Sequence, residues 1–323
     1  MTLAVPRVSV VIPNFNGAEH LARCLSALER QELDGFETIV VDNGSTDGSR
    51  RLVRARFGHV RLVELPENRG FAGAANRAAE LAQGDYVALL NNDAEAEPSW
   101  LVELLACAER HPRAASIASK VLRVAEPGVL DGAGDAMTRA LKAFRRGAGE
   151  PDDGRYSEEE QVFSASGTAC LWRTSAFRDL GGFDESFFAY YEDVDLGFRA
   201  RLAGFECWYA PRAVVRHVGA ATSTQLAEVD ARYSLRNRWA TAIKDAPLAW
   251  LLRNALIIGA GELLLWARIL RDREPRLLAR HLLSRVYSLV PLLRARREIQ
   301  RARVVAYHDL IRFADRWLPP PRA

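Results

Sequence analysis

The sequence predicts an α/β fold: a Rossmann-like, mostly parallel sheet with helices on both faces, followed by a C-terminal α-helical amphipathic region. Two observations predict the sheet. Short apolar, β-branched runs alternate with helical patterns through the first 93 residues, and a polar cluster follows each run. A third observation predicts the helical region. Beyond about residue 225 the strand signals stop, and leucine-rich stretches studded with arginine replace them.

Val8 to Pro13 is the first such run and reads as a buried parallel strand. Asn14 to Gly17 is a polar turn, and His20 to Arg30 carries Leu21, Leu25 and Leu28 at helical spacing. Phe36 to Val41 is a second strand, ending in Asp42-Asn43-Gly44-Ser45, and a helix follows through Arg56. Val60 to Leu65 is a third strand, Pro66 to Gly70 a loop, and Phe71 to Gln83 an alanine-rich helix stopped by Gly84. Tyr86 to Leu90 is a fourth strand, closed by Asn91-Asn92-Asp93, with a helix at Trp100 to Arg110. Ligands of such sheets bind at the carboxyl ends of the strands. Asn14, Asp42, Asn68 and Asn91–Asp93 all fall there.

Glu126 to Glu160 is rich in Gly, Asp and Arg and reads as a loop, with 147–154 its most mobile part. Strands are expected around Phe163–Arg173, Cys207–Ala210 and Val214–Val218. Leu248–Leu270 and His281–Arg303 read as amphipathic helices. The longest uncharged run of the first, Ala255–Gly261, is far below the ~20 residues of a spanning helix. These helices suit either a membrane interface or a packed subdomain, because a lipid face and a core face look alike in sequence.

The 323 residues carry a net charge of only +3, unevenly placed. From Arg271 onward thirteen arginines and no lysine face five carboxylates, so this segment is +8 and the rest is −5. An anionic membrane surface is the expected partner of such a segment, and nucleic acid is not. The four cysteines are far apart and form no C-x-x-C pair, which suits small buried hydrophobes in a reducing compartment. No signal peptide is legible before the first strand, so the expected location is cytoplasmic, peripheral to the inner face of the cell membrane.

Ala189 to Arg199 is the richest stretch chemically. Glu192, Asp193 and Asp195 follow Tyr190 and Tyr191 and open a helix that Gly204 stops. A helix N-terminus favours ionised carboxylates, and an ionised carboxylate beside aromatic walls takes protons from hydroxyls. Acidic first-turn residues also suit the dipole with no chemistry attached. Asn91-Asn92-Asp93 offers amide and carboxylate oxygens of the kind that Mg²⁺ or Mn²⁺ shares with a substrate phosphate. His217 sits alone on its strand.

Val8–Asn16, Val40–Gly48, Glu67–Asn76, Leu89–Asp93, Gly181–Glu185, Glu192–Leu196 and His217 form an ordered series. In that order and spacing the chain resembles the family 2 glycosyltransferases of the GT-A fold, within them the bacterial rhamnosyltransferase-like branch. The resemblance implies a GT-A catalytic domain over 1–225, its nucleotide-sugar half about 1–110 and its acceptor half about 111–225. Residues 226–323 would be a basic, membrane-associating helical region. It implies that Pro13, Asn14, Asp42, Asn68, Gly70, Asn91 and Asn92 bind the nucleotide sugar, and that Asp93, His217 and Asn91 hold Mn²⁺ or Mg²⁺. Asn91 stands where many members have Asp, so a metal would rest on fewer protein charges. Asp193 matches the catalytic base, with Glu192 second, and Gly167, Trp172, Tyr190 and Tyr191 fall on the acceptor side.

The implied activity is inverting transfer of a sugar from a nucleoside diphosphate, L-rhamnose from dTDP-L-rhamnose first, to a lipid-linked or growing cell-surface glycan. Two rivals stay open. One is a sugar-nucleotide-binding protein without activity. The other is a dinucleotide-dependent oxidoreductase, although Asn14-Phe15-Asn16-Gly17 lacks the G-x-G-x-x-G such a site needs.

Overall fold

The computed structural model describes residues 6–219, 227–271 and 275–314. The chain opens with β1 (Val8–Asn14), α1 (Ala18–Leu28), β2 (Glu37–Asn43), α2 (Ser49–Arg56), β3 (Arg61–Leu65), α3 (Gly70–Leu81) and β4 (Tyr86–Leu90). β1 pairs in parallel with β2 and β4, and β2 with β3. Val8, Val10, Val11 and Ile12 are all fully buried. Val8, Val10 and Ile12 join the core under α1, α2 and α4, whereas Val11 joins the core under α3. That alternation is what a strand covered on both faces requires.

The sheet continues in a mixed half. β5 (Ala94–Ala96), α4 (Trp100–Arg110), β6 (Ala114–Arg123), β7 (Leu130–Ala133), β8 (Asp135–Met137) and β9 (Ala143–Arg145) come first. β10 (Glu160–Gln161), β11 (Ala169–Arg173), α5 (Thr174–Asp179), α6 (Glu192–Leu202) and β12 (Glu206–His217) follow. The order is β10-β12-β6-β11-β4-β1-β2-β3, with β5 beside β12 and β7 beside β6. β11 runs antiparallel to both β4 and β6, which joins the two halves into one sheet.

Several expectations need correction. The stretch 126–160 is not a loop: it holds β7 and the β8–β9 hairpin. Its 147–154 turn is tied down by Lys120 on Asp152 at 2.8 Å. The two strands expected before residue 218 are one, β12, with a register shift between Ala210 and Val214. The strand expected from Phe163 begins only at Ala169, which leaves Ser166–Thr168 as a loop. β6, at the middle of the mixed half, was not foreseen.

The C-terminal region comprises α7 (Ala227–Asp245), α8 (Leu248–Arg253), α9 (Ala255–Arg271), α10 (Pro275–Ala302) and α11 (Tyr307–Ile311). The boundary expected near residue 225 and the last part of the basic segment, 315–323, lie outside the described residues. The inner side of this region packs on the sheet domain. Trp250 is fully buried against Phe198 of α6, ring centroids 5.8 Å apart. Lys244 of α7 pairs with Asp195 at 2.5 Å and with Asp184 at 2.6 Å. The outer side stays open: Leu252, Leu256, Leu263, Leu264, Leu283 and Val290 are exposed. Among the described residues no helix is long and apolar enough to cross a membrane.

Candidate functional site

A cavity of about 750 Å³ opens at the carboxyl ends of β1, β2 and β4. Pro13, Asn14, Asn68, Gly70, Asn91, Asn92 and Asp93 line it from the first half of the sheet. Gly167, Tyr190, Tyr191, Glu192, Asp193 and His217 line it from the second. Two expected members do not reach it. Trp172 is fully buried on β11 and meets Phe177 edge-on, so it is a core residue and not an acceptor-side one. Asp42 is fully buried at the end of β2. Its oxygens are taken by the Arg50 guanidinium at 2.5 Å and the Ser45 amide at 3.1 Å, and it touches the cavity only through Asn14 at 3.4 Å.

One end of the cavity holds Asp93 and His217. β5 pairs antiparallel with β12, which sets His217 opposite Ala94, the residue after Asp93. His217 Nε2 lies 3.2 Å from Asp93 Oδ1. Its Nδ1 lies 2.8 Å from Asp131, which also takes the Arg145 guanidinium at 2.6 Å. Burial alone would lower the His217 pKa, but the hydrogen bonds to Asp131 and Asp93 outweigh it and hold the ring up at about 9. Burial likewise opposes ionisation of Asp131, and His217 and Arg145 overcome it, bringing this carboxyl down to about 2. The donor set fits a divalent cation: a carboxylate oxygen and an imidazole nitrogen converge, and a second carboxylate fixes the ring from behind. A cation there would displace the proton that His217 otherwise holds.

The other functional corner is the start of α6. Asp193 Oδ2 accepts the Gly167 amide at 2.8 Å. Glu192 is buried, and its pKa stands well above the ordinary carboxyl value, first through desolvation and then through the charge of Asp193. Its Oε2 meets no hydrogen-bond donor among the described residues. The expectation that the whole acidic motif is ionised thus meets an opposing effect at Glu192, where burial works against the helix dipole. Asp195 is also fully buried but stays ionised. Arg199 and Lys244 outweigh its desolvation and bring it down to about 2, so its work is to tie α7 to α6.

The segment before α6 is strained. Phe188, Tyr190 and Tyr191 hold φ of 64°, 69° and 69°. Left-handed backbone costs a bulky residue roughly 1–2 kcal/mol. Gly70, itself at φ +74°, faces this segment so closely that a Cβ would sit 2.2 Å from the Phe188 carbonyl oxygen. The glycine of the third strand-end cluster is thus needed for close approach.

The sequence reading missed Asn43, Asp131, Asp135, Phe188 and Tyr233, all of which line the cavity. Asp135 is buried, accepts the Ser164 hydroxyl at 3.1 Å and is pushed up to about 8 by desolvation and then by the charge of Asp193. A signal was present: in Asp131-Gly-Ala-Gly-Asp135 the two carboxylates fall on one face at strand spacing. Away from the cavity, Cys107, His111 and Glu159 also converge, but the Arg110 guanidinium already holds Glu159.

Residues 9–181 match the profile of Glycosyl transferase family 2. The chain belongs to this family. It is 30% identical over 310 residues to the N-acetylglucosaminyl-diphospho-decaprenol L-rhamnosyltransferase of Mycobacterium tuberculosis, covering 86% of this chain and 98% of that one. Among solved structures it resembles GalNAc-T7 with UDP, GalNAc and Mn²⁺ (TM-score 0.59, 15% identity, 75% of this chain and 48% of that one). It also resembles the mannosyltransferase PcManGT from Pyrobaculum calidifontis in complex with GDP-Man and Mn²⁺ (TM-score 0.55, 20% identity, 88% and 75%). The fold is GT-A, as expected, and the chain is a family 2 glycosyltransferase. The oxidoreductase alternative falls with that membership.

Proposed function

We propose that this glycosyltransferase moves a sugar, L-rhamnose from dTDP-L-rhamnose first, onto a lipid-linked glycan, with inversion and with a divalent metal. The observation that carries the reading is the single cavity lined by Asp93 and His217 as well as by Asp193. The relative from M. tuberculosis, similar over most of both chains, favours L-rhamnose as the sugar and a lipid diphosphate acceptor. Asp93 and His217 would hold Mn²⁺ or Mg²⁺, which offsets the charge developing on the departing diphosphate. Asn14, Asn68, Asn91 and Asn92 offer amides to the donor. Asp193, anchored on the Gly167 amide, takes the proton of the acceptor hydroxyl as it attacks from the face opposite the leaving group. Glu192, buried and with its pKa raised by desolvation, is the poorer proton acceptor of the two, and a single displacement by the acceptor hydroxyl inverts the anomeric carbon.

The test is a panel of nucleotide sugars with Mn²⁺, read as thermal stabilisation and as transfer to a polyprenyl-diphosphate-linked N-acetylglucosamine. dTDP-L-rhamnose is expected to stabilise most and to be consumed. Stabilisation with neither transfer nor donor hydrolysis would leave a binding protein instead. Preference for another donor would remove the rhamnose assignment alone.

The outer side of the C-terminal helices fits a membrane partner. Leu256 is 92% exposed and Leu263 and Leu264 are 63% and 67% exposed, with Arg268 and Arg271 on the same helix and Arg253 at the end of α8. Anionic lipid attracts such arginines by about 1 kcal/mol each, and salt screens the attraction. The protein is expected to sediment with anionic vesicles at low salt, to be partly released at high salt, and to lose binding in Leu263→Glu/Leu264→Glu. Equal binding to neutral vesicles, or none to either, would refute it. A cut near residue 240 is a poor control, because it removes Lys244 from the buried Asp195.

A further inference from the structure

Asn237 lies on α7, in the region that the sequence reading assigns to membrane attachment, and it is fully buried. Its side-chain amide nitrogen lies 2.9, 2.9 and 2.7 Å from the Phe187, Ala189 and Tyr190 carbonyl oxygens, which share its two N–H donors. Those carbonyls belong to the segment that runs into α6 and Asp193, the segment in which Phe188, Tyr190 and Tyr191 hold positive φ. Such backbone persists only where its surroundings over-determine it. Neighbours on α7 add to the brace: Tyr233 stacks on Phe188 with centroids 5.2 Å apart, and the Arg236 guanidinium donates to the Ser186 carbonyl. The same helix is pinned to α6 two residues beyond Asp193, where Lys244 meets Asp195. One face of α7, from Tyr233 to Lys244, therefore fixes both the path of this segment and the place of the helix that it enters.

We infer that Asn237 is a positioning residue for sugar transfer: it clamps the strained backbone of 187–190 so that Asp193 faces the acceptor hydroxyl. The C-terminal helices are then part of the catalytic apparatus and not only an attachment. The inference rests on Asp193 as the base. Misplacing a reacting group by about 1 Å costs as much as 10²-fold, so loss of the clamp acts on turnover more than on donor affinity.

The experiment uses the full chain. Asn237→Ala, Asn237→Ser, Asp193→Asn and Leu104→Ala are compared well below their unfolding temperatures, with kcat for transfer and Kd for the nucleotide sugar measured on each. Leu104 is fully buried on α4 in the core away from α7, so its variant reports instability alone. Asn237→Ala is expected to lose about tenfold or more in kcat with donor Kd nearly unchanged, Asn237→Ser less because it keeps one donor, and Leu104→Ala little. If Asn237→Ala does not fold, Asn237→Ser decides by the same split. Wild-type kcat in the Asn237 variants, or a loss that only tracks the folded fraction as in Leu104→Ala, overturns the positioning role while Asp193→Asn stays inactive. An active Asp193→Asn overturns the base assignment and the inference together.

Discussion

Asp193→Asn is expected to lower transfer by about 10²-fold or more while nucleotide-sugar affinity barely changes. Asparagine keeps the size of the side chain and an oxygen to accept the Gly167 amide, a bond of 2.8 Å in the native protein. What it loses is the capacity to take a proton. The neighbouring Glu192→Gln should retain most of the activity. Glu192 is buried and desolvation raises its pKa, which favours the neutral acid, and glutamine is a fair copy of a neutral carboxylic acid. Two adjacent carboxyls on one helix turn thus have opposite expected sensitivities, and burial decides which. Initial rates with donor Kd from calorimetry on both variants check this. An active Asp193→Asn beside an inactive Glu192→Gln would move the role to Glu192.

That contrast marks where the sequence was legible. The β1–β4 half could be read because its signals are local: β-branched runs buried on both faces, short turns, and polar clusters at strand ends. β6 could not, since Ala114-Ala-Ser-Ile-Ala-Ser has little strand propensity, and pairing with β11, β12 and β7 makes it a strand. The motif of α6 could be located but its ionisation could not, because desolvation of Glu192 depends on what folds over it. Trp172 looked like a wall of the site for a related reason: strand alternation says that it has a face, but not which side of the sheet holds the cavity. Asn237 and Lys244 gave no signal at all, being about fifty residues in sequence from the groups that they hold. The leucines of α8–α10 were ambiguous in sequence, and the ambiguity was physical: the region turns one side to the sheet domain and leaves the other open.

The second large effect is expected at Asp93. Asp93→Ala removes the only carboxylate of the Asn91-Asn92-Asp93 cluster and the oxygen that faces His217 Nε2 at 3.2 Å. If these two residues hold the cation, the departing diphosphate loses several kcal/mol of charge stabilisation, and transfer should fall by on the order of 10²-fold or more. Chelation of the wild-type protein should give the same loss and Mn²⁺ should reverse it. His217→Ala is expected to be milder, because it removes a neutral ligand and leaves the carboxylate. Asp131→Asn separates binding from chemistry. Asp131 meets Nδ1 at 2.8 Å and orients the ring without facing Asp93. Its loss should raise the Mn²⁺ concentration for half-maximal rate by about 10–100-fold and leave the rate at saturating metal far less changed. Titration of Mn²⁺ into the three variants reads all of this in one assay. Full activity in chelator, or an Asp93→Ala variant as fast as wild type, would remove the metal from both residues. This corner would then be a hydrogen-bonded Asp93–His217–Asp131 relay that holds the end of β12 against β5.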